Sequence, residues 1–143
     1  MTTFSSRGTT VASTCSNTSL VFVGPSNKPS VAPGQSLTAR AEFIELPAEK
    51  ALATGLIINE LVTNAFKYAF PDDDAAGHIK VEVTSAEQDV ILNVNDDGVG
   101  RPVESKGGLG TRLVTVFAGQ LGGAAHWTRD GSPGCKVSIR FPK

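Results

Sequence analysis

Between Leu46 and Pro71 the chain carries one long stretch of helical period, and from Ile79 to Val94 it changes to two-residue alternation. That change of period argues against a regular succession of strand–helix–strand units. Leu46-Pro47-Ala48-Glu49 reads as a helix start, with proline near the first turn and an acid shortly after it. The helix is expected to run to about Tyr68 and stop before Pro71, and Pro71-Asp72-Asp73-Asp74 with Gly77 reads as a loop. Ile79, Val81 and Val83, then Val90, Leu92 and Val94, alternate with polar residues and predict an antiparallel pair joined through Glu87-Gln88-Asp89. Leu37–Phe43 alternates roughly and predicts an earlier strand. A glycine-rich loop follows over Asp96–Gly110, then a helix over about Thr111–Gln120 ended by Leu121-Gly122-Gly123. Ala125–Thr128 and Cys135–Phe141 close the chain as strands around the turn Asp130-Gly131-Ser132-Pro133-Gly134. Helices and hairpins in this order predict the α+β class, as a two-layer α/β sandwich.

The first 35 residues are of another kind. They are crowded with Ser, Thr, Gly and Pro and carry only Arg7 and Lys28 as charges, too little apolar surface to offset the entropy of ordering. They are expected to be a disordered or linker segment, with one short strand possible at Leu20–Val23; residues 36–143 are expected to be the folded domain. A formal net charge of −1 gives no sign of a nucleic-acid partner or of membrane-surface contact. Cys15 and Cys135 fit no metal spacing and make no disulfide framework, so a cytoplasmic location is the expectation. No apolar run approaches the roughly 20 residues that span a bilayer, and the N-terminus does not read as a signal peptide.

On a helical wheel at about 100° per residue, Ile58, Leu61, Val62, Ala65, Phe66 and Ala69 share one arc, the expected core face. Glu60, Asn64, Lys67 and Tyr68 lie on the opposite arc at spacings that let their side chains converge. A carboxylate, an amide oxygen and an ammonium on one stripe suit a hydrated magnesium ion and its phosphates. The same stripe also suits the solvated face of an ordinary amphipathic helix, and the helix by itself does not decide between the two.

Two glycine boxes follow. Asp96-Asp97-Gly98-Val99-Gly100 has the form D-x-G-x-G at a strand end, where the backbone can turn sharply and a carboxylate can accept from an exocyclic amine; a plain Asp-Gly turn is the alternative. Gly107-Gly108-Leu109-Gly110-Thr111 leads into a helix N-terminus, whose free N–H groups and dipole favour phosphate; a flexible loop is the alternative. Neither box is a P-loop, and neither is a dinucleotide fingerprint in a strand–helix–strand unit.

Taken in order, polar-striped helix, hairpin, D-x-G-x-G, G-x-G and final strand resemble the GHKL ATPase superfamily. Residues 59–71, reading NELVTNAFKYAFP, resemble its asparagine box. Together with DDGVG, GGLGTRLV and GSPGCKVSIRFP they are similar to the ATP-binding catalytic domain of histidine kinases, on the side of the HWE-like class, over about Leu37–Pro142. The resemblance implies a Bergerat-type fold, with a mixed, mostly antiparallel sheet covered by helices on one face. It implies ATP and Mg²⁺ as ligands, with Asn64 coordinating the metal, Lys67 touching phosphate and Tyr68 lining the nucleotide. Glu60 stands where relatives keep a carboxylate that activates water, supports the metal or polarises the acceptor imidazole. Asp96 would bind the adenine amine, Gly98 and Gly100 would permit close approach, and Gly108, Leu109, Gly110 and Thr111 would border the phosphates.

The expected function is transfer of the γ-phosphoryl group of ATP to a histidine on a separate phosphoacceptor (dimerisation) domain, and through it to a response regulator. Glu60, Asn64 and Lys67 are the catalytic candidates. Neither His78 nor His126 sits on a predicted helix, so the acceptor domain is expected to be missing from this chain. The loop Arg101–Lys106 is short and lacks an aromatic box, leaving Arg101 or Lys106 to reach phosphate. The alternatives are an anti-sigma-type serine kinase regulator and a non-catalytic nucleotide-binding module of the same superfamily.

Overall fold

The computed structural model describes residues 10–12, 21–23, 34–71, 76–100, 108–128 and 133–143. Its elements are β1 (Thr10–Ala12), β2 (Val21–Val23), β3 (Gln35–Ala41), α1 (Ala48–Tyr68), β4 (Gly77–Ala86), β5 (Asp89–Asp96), α2 (Leu109–Gln120), β6 (Ala124–Thr128) and β7 (Lys136–Pro142). One five-stranded sheet runs in the order β3-β4-β5-β7-β6. Its β3–β4 pair is parallel and the other three pairs are antiparallel. The parallel pair follows from α1, which lies between the two strands in sequence and carries the chain back to the same end of the sheet. The α+β sandwich expected from the sequence is the observed architecture.

The strand alternation sorts the sheet into two faces. Val81, Val94 and Val137 stand in register across β4, β5 and β7, and Val83, Leu92 and Ile139 form the next row. All six are buried with Ile57, Ile58, Leu61 and Val62 of α1 and Val114 and Ala118 of α2, so both helices cover this one face. The opposite parity is polar, with Lys80, Glu82, Asn93, Lys136 and Arg140.

Helix α1 begins after Pro47, whose missing N–H costs nothing at a helix start, with Glu49 in its first turn and Lys67 in its last complementing the dipole. It ends where the Ala69 N–H donates to the Ala65 carbonyl at 2.9 Å, just before Pro71. Phe70 then folds inward, and Gly77 is required at the start of β4 because any Cβ there would overlap the Phe70 ring. The wheel placed the core arc correctly at Ile58, Leu61, Val62, Ala65 and Ala69, while Phe66 is half-buried against the core; Ile57 and Thr54, which it did not include, are fully buried.

Three boundaries differ from the sequence expectation. β3 spans Gln35–Ala41 and leaves Phe43 outside it, 69% exposed. After Ala41 the Glu42 carboxylate takes the Ser85 N–H at 2.7 Å, and the chain then turns Ile44 and Leu46 into the core. α2 begins at Leu109, so Leu109, Gly110 and Thr111 form its first turn rather than the loop before it. The short strand expected at Leu20–Val23 is present over Val21–Val23, paired antiparallel with Thr10–Ala12. The segments 72–75, 101–107 and 129–132, and most of residues 1–33, lie outside the described residues, and so do the expectations for Arg101, Lys106, the tip of the final turn and an N-terminal linker.

Candidate functional site

A cleft of about 710 Å³ opens between α1, α2 and the adjoining ends of β5 and β7. Its apolar floor is Leu61 and Ala65 of α1 with Val94 and Val137 of the sheet. Asp96 stands at one end of that floor. The run Val90-Leu92-Val94-Asp96 keeps one parity, so β5 delivers a carboxylate onto the helix-covered face where the pattern otherwise calls for an apolar side chain.

The carboxylate is held by backbone. The N–H groups of Gly98 and Cys135 both donate to Asp96 Oδ1, each at 3.1 Å, while the Asp96 N–H donates to the Cys135 carbonyl at 3.0 Å. Oδ2 has no hydrogen-bond partner among the described residues, and Asp96 lines the cleft. Burial raises the Asp96 carboxyl above the ordinary carboxylate range; the two N–H donors pull it back, and the neighbouring Asp97 charge pushes it up again.

The glycines of this box have separate tasks. Gly98 does not line the cleft: it is pressed on the end of α1, where a Cβ would overlap the Ala69 carbonyl, and the Val99 N–H donates to that carbonyl at 2.9 Å. Gly100 does line it, with φ +75°. Gly134 was not among the residues singled out, yet it decides whether the box closes. Its φ is +90°, and a Cβ there would overlap the Asp96 carbonyl, so only glycine lets β7 come close enough for Cys135 to reach Asp96. The signal available in the sequence was the glycine directly before Cys135.

At the other end, α2 meets the polar stripe of α1. A Cβ at Gly110 would lie 2.9 Å from Asn64 Nδ2 and 3.4 Å from Glu60 Oε2. The first turn of α2 therefore rests on the amide and the carboxylate that the wheel had placed together. Gly108 makes no side-chain cap hydrogen bond and the first turn contains no acid, so among the described residues no side chain caps the leading N–H groups of this helix. Glu60 and Asn64 are half-buried on the cleft wall; Lys67 and Tyr68 are exposed at its rim, the tyrosine by 70%. Gly108, Leu109 and Thr111 complete this side, Leu109 being 76% exposed. Among the described residues no three His, Cys, Asp or Glu side chains gather as a metal cluster.

Cleft residues that the sequence reading left out are Leu61, Ala65, Ala69, Val94, Val137, Val99, Cys135 and Trp127. Most are core positions in the periodic pattern; what turns some of them into walls is the end of the helix–sheet contact, which no local period records. The histidines lie elsewhere. His78 accompanies Lys80 and Glu82 on the polar face of β4, its Nδ1 2.8 Å from Ser36 Oγ, and His126 is exposed on the polar face of β6.

Residues 49–143 match the family described as Histidine kinase-, DNA gyrase B-, and HSP90-like ATPase. The chain is 35% identical over 112 residues to Blue-light-activated histidine kinase 2 of Erythrobacter litoralis, covering 74% of this chain and 32% of that protein. It is 29% identical over 102 residues to the sensor histidine kinase PdtaS of Mycobacterium tuberculosis, covering 68% and 20%. The solved histidine kinase domain of the Erythrobacter litoralis EL346 blue-light activated kinase superposes with a TM-score of 0.71 at 30% identity, over 77% of this chain and 52% of that one. The chain thus spans about a third or less of the length of these curated relatives. With the fold, the cleft and the sequence match in agreement, the chain belongs to the histidine kinase-, DNA gyrase B- and HSP90-like ATPase family.

Proposed function

We propose that this chain binds ATP with Mg²⁺ in the cleft and serves as the catalytic domain of a sensor histidine kinase, passing the γ-phosphoryl group to a histidine on a separate acceptor domain. The observation that carries the reading is the polarity of the cleft. One end holds a carboxylate with an unused oxygen; the other holds an uncapped helix N-terminus, an amide, a carboxylate and an ammonium; an apolar floor separates them. That is the order of groups met along a nucleotide, from exocyclic amine through an apolar-faced base to phosphates.

On this reading Asp96 Oδ2 accepts from the adenine amine, Leu61, Ala65, Val94 and Val137 take the base, and Tyr68 flanks it at the rim. The leading N–H groups of α2, from Leu109 to Thr111, receive phosphate oxygens beside Gly108 and Gly110, and Lys67 offsets their charge. The fit at that end depends on Gly110, where a side chain would press on the Asn64 amide and displace it. Mg²⁺, when bound through Asn64 and phosphate oxygens, would neutralise charge on the group being transferred. Transfer breaks the bond from γ-phosphorus to the bridging oxygen, which leaves on ADP, and forms a bond to an imidazole nitrogen. On this reading Glu60, half-buried beside Gly110, receives or holds the imidazole proton.

Among the described residues no helix is long and apolar enough to cross a membrane. The domain is proposed to work in the cytoplasm, with a response regulator downstream of its acceptor domain.

The test is transfer of label from γ-labelled ATP to the helical acceptor domain of a related sensor kinase. Acid-labile, base-stable phosphate on that domain is expected. Label on serine instead would replace this reading with a serine-kinase regulator, and binding of ATP without transfer to any acceptor would reduce it to a nucleotide-binding module.

A further inference from the structure

Trp127 is the single tryptophan of the chain, and it lines the cleft from β6, a strand that contributes no other residue to it. It pairs with Val137 of β7, and Val137 pairs in turn with Val94 of β5, so the indole extends the floor row by one more strand. The register makes Cys135, two residues before Val137, the diagonal neighbour of Trp127. Such neighbours are separated by roughly 7–8 Å, a distance an aromatic side chain spans. Cys135 is the residue whose N–H holds Asp96 Oδ1. The register thus sets Trp127 diagonal to the residue whose N–H holds the carboxylate, and its side chain lines the same cleft as Asp96. It is half-buried, and the face it presents to the cleft is large, rigid and apolar.

We infer that Trp127 is a base-contacting residue, and that its indole forms the β6 side of the purine pocket opposite α1. This rests on the reading of the cleft as a nucleotide site and adds to it a specificity element. Asp96 chooses the base by its amine, and Trp127 favours a flat, extended ring system over a small one, because the contact scales with the aromatic area covered. On the same reading, recognition by Trp127 is independent of the phosphates, which are assigned to the side where Gly110 meets Asn64.

The test uses the complete chain, with adenosine, ADP and UDP as probes, calorimetry for affinity and tryptophan emission as a local reporter. Saturation with ADP is expected to change the emission of Trp127, and adenosine to produce the same change. Trp127→Leu is expected to weaken adenosine and ADP by the same factor, about tenfold, with Trp127→Phe restoring most of the loss. It is also expected to narrow the preference for ADP over UDP. The inference is overturned if calorimetry shows ADP bound while the emission stays unchanged, and equally if a folded Trp127→Leu binds adenosine as the wild type does. Should Trp127→Leu fail to fold, the emission of the wild-type chain at calorimetric saturation decides alone. If no adenine compound binds by calorimetry, the nucleotide reading itself has failed, which is a different result.

Discussion

Asp96 and Cys135 hold each other through two hydrogen bonds, the Asp96 N–H to the Cys135 carbonyl at 3.0 Å and the Cys135 N–H to Asp96 Oδ1 at 3.1 Å. The first continues the β5–β7 ladder past its last paired residues; the second uses the ladder to aim a side chain. A carboxylate that spends one oxygen on backbone has a fixed orientation and presents the other oxygen to the cleft.

Asp96→Asn tests that orientation. The amide presents a donor where an acceptor is needed, and a mismatched buried polar group costs about 1–3 kcal/mol, or one to two decades of affinity. ATP affinity and selectivity over GTP are both expected to fall, measured by calorimetry. The stability should move the other way. Burial raises the Asp96 carboxyl, so its stabilising contribution is complete below the ordinary carboxylate range and is lost as pH rises through the raised value. At neutral pH the Asn variant should therefore melt no lower than the wild type, and any advantage should shrink in acid. For the same reason, ATP binding by the wild type should begin to weaken at a pH above the ordinary carboxylate value.

If the proposed reading holds, Asn64→Ala removes an oxygen ligand from the phosphate end and leaves the base end intact. Affinity for a non-hydrolysable ATP analogue in Mg²⁺ should drop about tenfold, the size of one charge-assisted contact. Affinity for adenosine should be unchanged. Equal affinity of variant and wild type for the analogue in Mg²⁺ would contradict the placement of the metal.

Gly134→Ala puts a methyl group where the Asp96 carbonyl lies and forces a left-handed φ on a residue that resists it. The cost is expected to be about 1–3 kcal/mol from the backbone conformation alone. A lowered Tm by calorimetry, together with weakened adenosine binding, is the expected outcome. Gly108→Ala, whose Cβ meets nothing within 4 Å, is the control: it changes only an N-cap residue and should lower the Tm less than Gly134→Ala does.

The chain alone should take no label from γ-labelled ATP. Transfer requires an imidazole nearly in line with the γ-phosphate. His78 and His126 both have the parity of the sheet's polar face, while Asn64 and Gly110 lie on the helix-covered side. Stoichiometric label lost in His78→Gln or His126→Gln would show the acceptor to be within the chain.

Much of this was legible in the residues because it is local. A helix period brings Glu60 and Asn64 onto one stripe wherever the helix goes, and a two-residue period assigns Val90, Leu92 and Val94 to one face before any partner is known. Asp96 continues that parity, so its presence on the apolar face was already determined by its position. The glycine pairs announced close approach without saying to what.

What only the tertiary structure decided concerns pairs far apart in sequence. Asp96 and Cys135 are separated by 39 residues, and their contact depends on the β5–β7 register and on Gly134. The parallel β3–β4 pair, the seating of Gly110 on Asn64 and the arrival of Trp127 at the cleft depend on which strands become neighbours. Strand order is set by the burial of the whole apolar face at once, a collective energy to which each residue contributes little and which no window of sequence contains. The chemistry was written in the residue types; the distances at which they meet come from the packing of two helices on five strands.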